Sequence, residues 1–206
     1  MALGTVTAPH ELRFDTGRVC LDLLATTHPE ERLGSVDVLS AWITGSGLVP
    51  DGTPLTHADD AWPVAFRELR GHLARLVRGH LARPARGRPG PGGAAHDLAL
   101  ARLNETARVA PPAPRAVPGD DGALVRRLEA PPGCAALLAA IARDAVDLLT
   151  DPLARACLRQ CEGDHCPIVY LDTSRGRRRR WCSSEVCGNR ERVARHRRRA
   201  AAHPRA

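Results

Sequence analysis

Cys161-Glu-Gly-Asp-His-Cys166, then fifteen residues, then Cys182-Ser-Ser-Glu-Val-Cys187, is the stretch that decides how the last quarter of this chain folds. Two cysteine pairs, each with four intervening residues, can each bring two thiolates to one point. A tetrahedral zinc ion needs four such soft ligands at about 2.3 Å. Knuckle pairs usually enclose roughly two to four residues, so this spacing is at the loose end of the range but within it. The competing readings are a disulfide pair and plain buried thiols. His165, beside Cys166, and Cys157, one helical turn before Cys161, are alternative ligands. Zinc is the expected occupant, because seven cysteines with four of them clustered fit a reducing compartment and a metal better than a disulfide framework.

Outward from the cysteines, Ile168-Val-Tyr-Leu171 has the β-branched and aromatic character of a strand. Asp172-Thr-Ser-Arg-Gly176 follows in turn-forming residues, and Arg177 to Trp181 is expected to return as a second strand. After Cys187 the pattern becomes helical, with Val193, Ala194, Ala200 and Ala201 among arginines. A knuckle, a hairpin and a helix with ligands at its start predict a small treble-clef-like zinc finger. The free N–H groups of the helix start also suit negatively charged thiolates.

Asp172-Thr-Ser174-Arg, Arg179-Arg180-Trp181-Cys182 and Cys187-Gly188-Asn189-Arg190 resemble the CGNR zinc finger. In bacterial proteins that finger usually follows a domain called ABATE, described as a stress-induced transcription regulator. The resemblance covers the last forty or so residues closely. It implies that Cys161, Cys166, Cys182 and Cys187 hold one structural zinc and that the finger binds DNA. Near the start, Cys20-Leu21-Asp22 and Thr26 resemble the ABATE opening. There, Leu23 stands where an aromatic residue is usual and Ala25 where asparagine is. A transcriptional regulator whose N-terminal domain senses a small molecule or forms a dimer is what the resemblance implies.

The charge is uneven. All 30 basic residues are arginine. Residues 175–206 hold twelve of them against Glu185 and Glu191, a formal +10, which leaves −3 for the rest and sums to the stated +7. A near-neutral body with a basic tail is the asymmetry of a nucleic-acid partner. Arg177, Arg178, Arg179 and Arg180, on the expected strand, should alternate faces. Arg192, Arg195 and Arg199, with Arg198 beside them, should form a ridge on one helix face. Guanidinium groups on such a ridge can track phosphates or meet guanine edges in the major groove. Asn189 should cap or turn the chain, and Arg190 should pair with Asp172. A second class, an interaction module binding acidic protein or RNA, shares all of these features.

The remaining sequence reads as an α+β, mainly helical domain over residues 1–155, with the finger over 156–206. Glu11–Phe14 and Arg18–Leu21 suggest two short strands. Helices are expected after Ser35, from about Asp59 to Ala82, around Leu98–Ala107, over Cys134–Thr150 and briefly from Asp151-Pro152. Arg67, Arg70, Arg75 and Arg78 should line the solvent face of the second of these. Trp42 and Cys20 should be buried. Arg83 to Gly93, dense in proline and glycine, reads as a loop, and Asp120-Asp121-Gly122 as the turn of a hairpin.

No phosphate loop, nucleophile elbow or His-Glu-x-x-His helix is present, and a zinc held by four thiolates has no open position for water. Asp59-Asp60 and Asp120-Asp121 read as caps and turns. The expectation is a cytoplasmic, nucleoid-associated binding protein without catalytic activity, and without a membrane span.

Overall fold

The computed structural model describes residues 12–82 and 93–202; the loop expected over residues 83–93 and the N-terminal end lie almost wholly outside them. The helical part consists of α1 (Val19–Ala25), α2 (Val36–Gly45), α3 (Ala61–Leu81), α4 (Ala94–Arg108), an antiparallel hairpin of β1 (Pro114–Pro118) and β2 (Leu124–Leu128), then α5 (Cys134–Thr150). A single helical turn, α6 (Pro152–Arg155), leads to β3 (Leu158–Gln160). Strand β4 (Val169–Leu171) pairs with β3, and α7 (Asn189–Ala202) closes the described chain. Among the described residues no helix is long and apolar enough to cross a membrane.

Helices α3, α4 and α5 pack together because each carries an apolar stripe at helical spacing. Phe66, Leu73 and Val77 of α3, Leu103 of α4, and Leu137, Ile141, Ala145 and Leu148 of α5 are all buried in one core. Trp42 of α2 joins it, meeting Phe66 edge-on with ring centroids 6.0 Å apart, and Cys20 is a buried thiol there. Ser35 caps α2 by accepting the Val38 amide, and Asp151 caps α6 by accepting that of Leu153, with Pro152 just inside it.

Two readings of this part are corrected. The segment expected as a strand at Arg18–Leu21 is the start of α1. The Arg18 carbonyl accepts the amides of Leu21 and Asp22, while the Asp22 carboxylate turns back to accept the Thr16 amide and hydroxyl. Those local bonds satisfy the backbone as a helix start and leave nothing for a ladder. On α3, Arg75 and Arg78 are exposed as expected, but Arg67 and Arg70 face the protein. Arg67 donates to the Leu33 carbonyl at 2.9 Å; buried Arg70 grips Glu31 with both terminal nitrogens and Thr26 Oγ1 at 2.7 Å. A bidentate arginine can be buried when its donors are matched in this way, and here it fastens the 26–33 loop to α3.

The finger grows directly out of this core. Period-two alternation sends Val169 and Leu171 of β4, with Leu158 of β3, into the main core. Ile168 and Tyr170 point the other way and pack with the four cysteines and Trp181. The Leu171 amide also donates to the Thr16 carbonyl at 2.8 Å. Gly17 sits beside that contact with φ +94°, and a Cβ there would meet Leu171 Cβ at 3.2 Å. Both the left-handed backbone and the close approach require glycine.

Candidate metal centre and basic surface

The four thiols of Cys161, Cys166, Cys182 and Cys187 lie within 4.8 Å of one another, and all four residues are buried. Cys182 Sγ is 3.7 Å from Cys166 Sγ and 3.6 Å from Cys187 Sγ. Four sulfurs placed tetrahedrally at 2.3 Å from a zinc ion would stand about 3.8 Å apart. Spacing and donor chemistry both fit a closed four-thiolate zinc site. Neither alternative ligand joins the cluster. His165 is exposed on the knuckle turn with φ 58°, and Cys157 is buried one strand away with its carbonyl accepting the Asp172 amide.

Backbone donors prepare the sulfurs. The Gly163 and Cys182 amides point at Cys161 Sγ from 3.4 and 3.3 Å. Burial pushes the Cys161 thiol up, but these amide bonds, together with the neighbouring Cys182 and Cys166 thiols, outweigh it and hold the group below the ordinary thiol value. Burial raises Cys166 to about 11, and burial together with the bond to Cys182 holds Cys187 higher still. Zinc takes thiolates, so filling the site displaces protons from the latter two. Gly163 lies against the cluster: a Cβ on it would meet Cys187 Sγ at 3.4 Å and Cys161 Sγ at 3.5 Å.

Arg13, from the helical part, was not legible as a site residue. Its guanidinium donates to Cys182 Sγ at 3.2 Å and to the Cys182 carbonyl at 3.3 Å, while holding Asp15 at 2.8 Å. Burial opposes its charge, yet the bonds to Asp15 and Cys182 win and raise its pKa above the usual arginine value. A four-thiolate zinc cluster is doubly negative, and a cation on one of its sulfurs offsets part of that charge.

The segment between the cysteine pairs departs from the expected hairpin. Strand β4 pairs with β3, upstream of the first ligand, and residues 177–181 form no strand. Side chains occupy the groups a ladder would use. The buried Asp172 carboxylate accepts the amides of Ser174 and Arg179 at 3.0 Å each, and Tyr170 donates to the Arg179 carbonyl at 2.5 Å. Arg177 takes a left-handed φ of 48°. Asp172 is therefore satisfied without Arg190, which is exposed, and the expected Arg190–Asp172 pair is absent among the described residues.

The predicted DNA-contacting arginines divide accordingly. Arg179 belongs to the finger's interior: its guanidinium lies 4.6 Å over the Tyr170 ring and donates to the carbonyls of Trp181 and Cys182. Arg180 stacks on Trp181 and pairs with Glu162 at 2.5 Å. Arg192 folds back onto the Gly188 and Ser184 carbonyls, and Arg198 reaches Glu191 at 3.7 Å. Arg177, Arg178, Arg195 and Arg199 are exposed, and no carboxylate among the described residues pairs with them. Asn189 caps the five-residue π-turn Ser184–Gly188 that carries Cys187, which Ser183 opens by accepting the amides of Glu185 and Val186.

Residues 17–152 match the ABATE family, whose description is "putative stress-induced transcription regulator", and residues 157–200 match the CGNR zinc finger. No curated protein matches the chain.

Proposed function

We propose, from the premise that this chain belongs to the ABATE family and ends in a CGNR zinc finger, that it is a zinc-dependent DNA-binding regulator. Cys161, Cys166, Cys182 and Cys187 hold the ion, whose role is to fold a segment too small to fold alone, at about 10–16 kcal/mol of binding free energy. With four sulfurs in its shell the ion offers no position to a substrate, which supports a binding role over a catalytic one.

The observation that carries the DNA reading is where the free guanidiniums sit. Arg195 and Arg199 stand one turn apart on α7, and Arg177 and Arg178 project from the loop before Cys182, all in the stretch with a formal +10. Arg177, Arg178, Arg195 and Arg199 are the contacts expected to neutralise phosphates; Arg180, Arg192 and Arg198 can swing to them from exposed positions, and Arg179 supports the fold. Selection of bound duplexes from a random pool by the zinc-loaded protein tests the reading. Enrichment of a common sequence supports a regulator, equal retention of all duplexes reduces it to a general DNA binder, and no retention at low salt transfers the finger to a protein or RNA partner.

A further inference from the structure

A cleft of about 860 Å³ opens between the helical part and the finger, and phosphate tracking by α7 does not account for its walls. Phe14 from one side and Val186 from the other both line it, and they remain 39% and 43% exposed. Single exposed apolar residues are ordinary. Two lining one concavity from different parts of the chain form a seat for an apolar body. The same space is lined by Arg13, Arg32, Arg190 and His28. Asp15, Asp164 and Glu185 line it too, but Asp15 is already held by Arg13. Arg32 reaches Glu30 with one nitrogen at 3.4 Å, while its Nε is buried with no partner. Arg190 pairs with no carboxylate among the described residues. His28 lies beside these arginines and is held below the ordinary histidine pKa by burial and then by Arg13, Arg190 and Arg32 around it.

We propose that this cleft binds a small organic acid, its carboxylate or phosphate on Arg32 and Arg190 and its aromatic or branched body between Phe14 and Val186. The volume is that of ordinary small-molecule sites, about 300–1,000 Å³. One wall, Ser183 to Arg190, leads straight into α7, so occupancy biases how α7 is presented; that consequence alone rests on the DNA-binding reading.

The test is calorimetric titration and thermal shift of the full-length, zinc-loaded protein without DNA. The probes are benzoate, phenyl phosphate, inorganic phosphate and, as a cationic control, benzylamine. Benzoate and phenyl phosphate should bind saturably and raise the melting temperature, and benzylamine should do neither. Arg190→Ala should weaken both acids about tenfold or more, the loss of a charge-assisted hydrogen bond. Val186→Ser should weaken phenyl phosphate more than inorganic phosphate. The proposal is overturned if neither acid binds by about 10 mM, if Arg190→Ala leaves both affinities unchanged, or if inorganic phosphate binds as tightly as phenyl phosphate. Loss of DNA affinity in Arg190→Ala with no acid bound would give the cleft to nucleic acid and equally overturn it. Because no DNA is present in the titration, failure of the DNA reading leaves its result intact.

Discussion

Gly163 and Asp22 show how single positions set the chemistry around them. Gly163→Ala would set a methyl group tightly, 3.3 Å, against Cys187 Cβ and in contact with the sulfurs of Cys187 and Cys161, which must stay within a tetrahedron's edge of each other. It is expected to lower zinc affinity about tenfold, the scale of perturbing a group that supports a ligand, measured by competition with a chromophoric chelator. Asp22 is buried, and its carboxyl sits at about 6 because desolvation outweighs the two bonds from Thr16. An acid whose pKa is raised on folding holds its proton more tightly in the native state. Stability therefore falls as pH climbs from about 4 to about 6 and is flat beyond. Asp22→Asn keeps a carbonyl acceptor for Thr16 and removes that slope. Urea midpoints of the two proteins should agree below about pH 4, and the variant should lead above pH 6 by on the order of 1–3 kcal/mol. The cysteines were legible in the sequence because a knuckle is a local object: four residues between thiols fix a turn. Arg13 was not, since its partner Cys182 lies 169 positions away and no short-range pattern encodes the contact.

Helices α3 and α5 could be placed from sequence to within a few residues, since a stripe such as Leu137, Ile141, Ala145 and Leu148 repeats only in one periodicity. The stretch 177–181 could not, because side chains of Asp172 and Tyr170 take the backbone groups that strand propensity assigns to a neighbour. The arginines on these elements therefore answer differently to removal. Arg195→Ala with Arg199→Ala should leave the melting temperature within error. The pair should also flatten the dependence of log affinity for duplex DNA on log salt, by about 0.9 for each phosphate no longer neutralised. Arg179→Ala should do the reverse, since it strips the Tyr170 ring and two carbonyls of their cation. We expect it to lower stability by about 1–3 kcal/mol in thermal or chelator-induced unfolding, with the salt slope unchanged.

Across the molecule, β4 and the residue before it belong to two cores at once, with Val169 and Leu171 in one and Ile168 and Tyr170 in the other. Removing zinc should therefore be felt outside the finger. Hydrogen exchange after chelation should lose protection at Leu171, whose amide is bonded to the Thr16 carbonyl, and at the Thr16 amide held by Asp22. If the Thr16 amide kept its metal-loaded protection while loss was confined to residues 161–199, Leu171 included, the two cores would be shown to be independent. Their sharing also bears on how such a protein can be recombined. A finger cut free at residue 157 would bare Leu158, Val169 and Leu171 to water, so it is no interchangeable cassette: moved to another host, it would have to find, or clump into, a replacement for the helices it left behind.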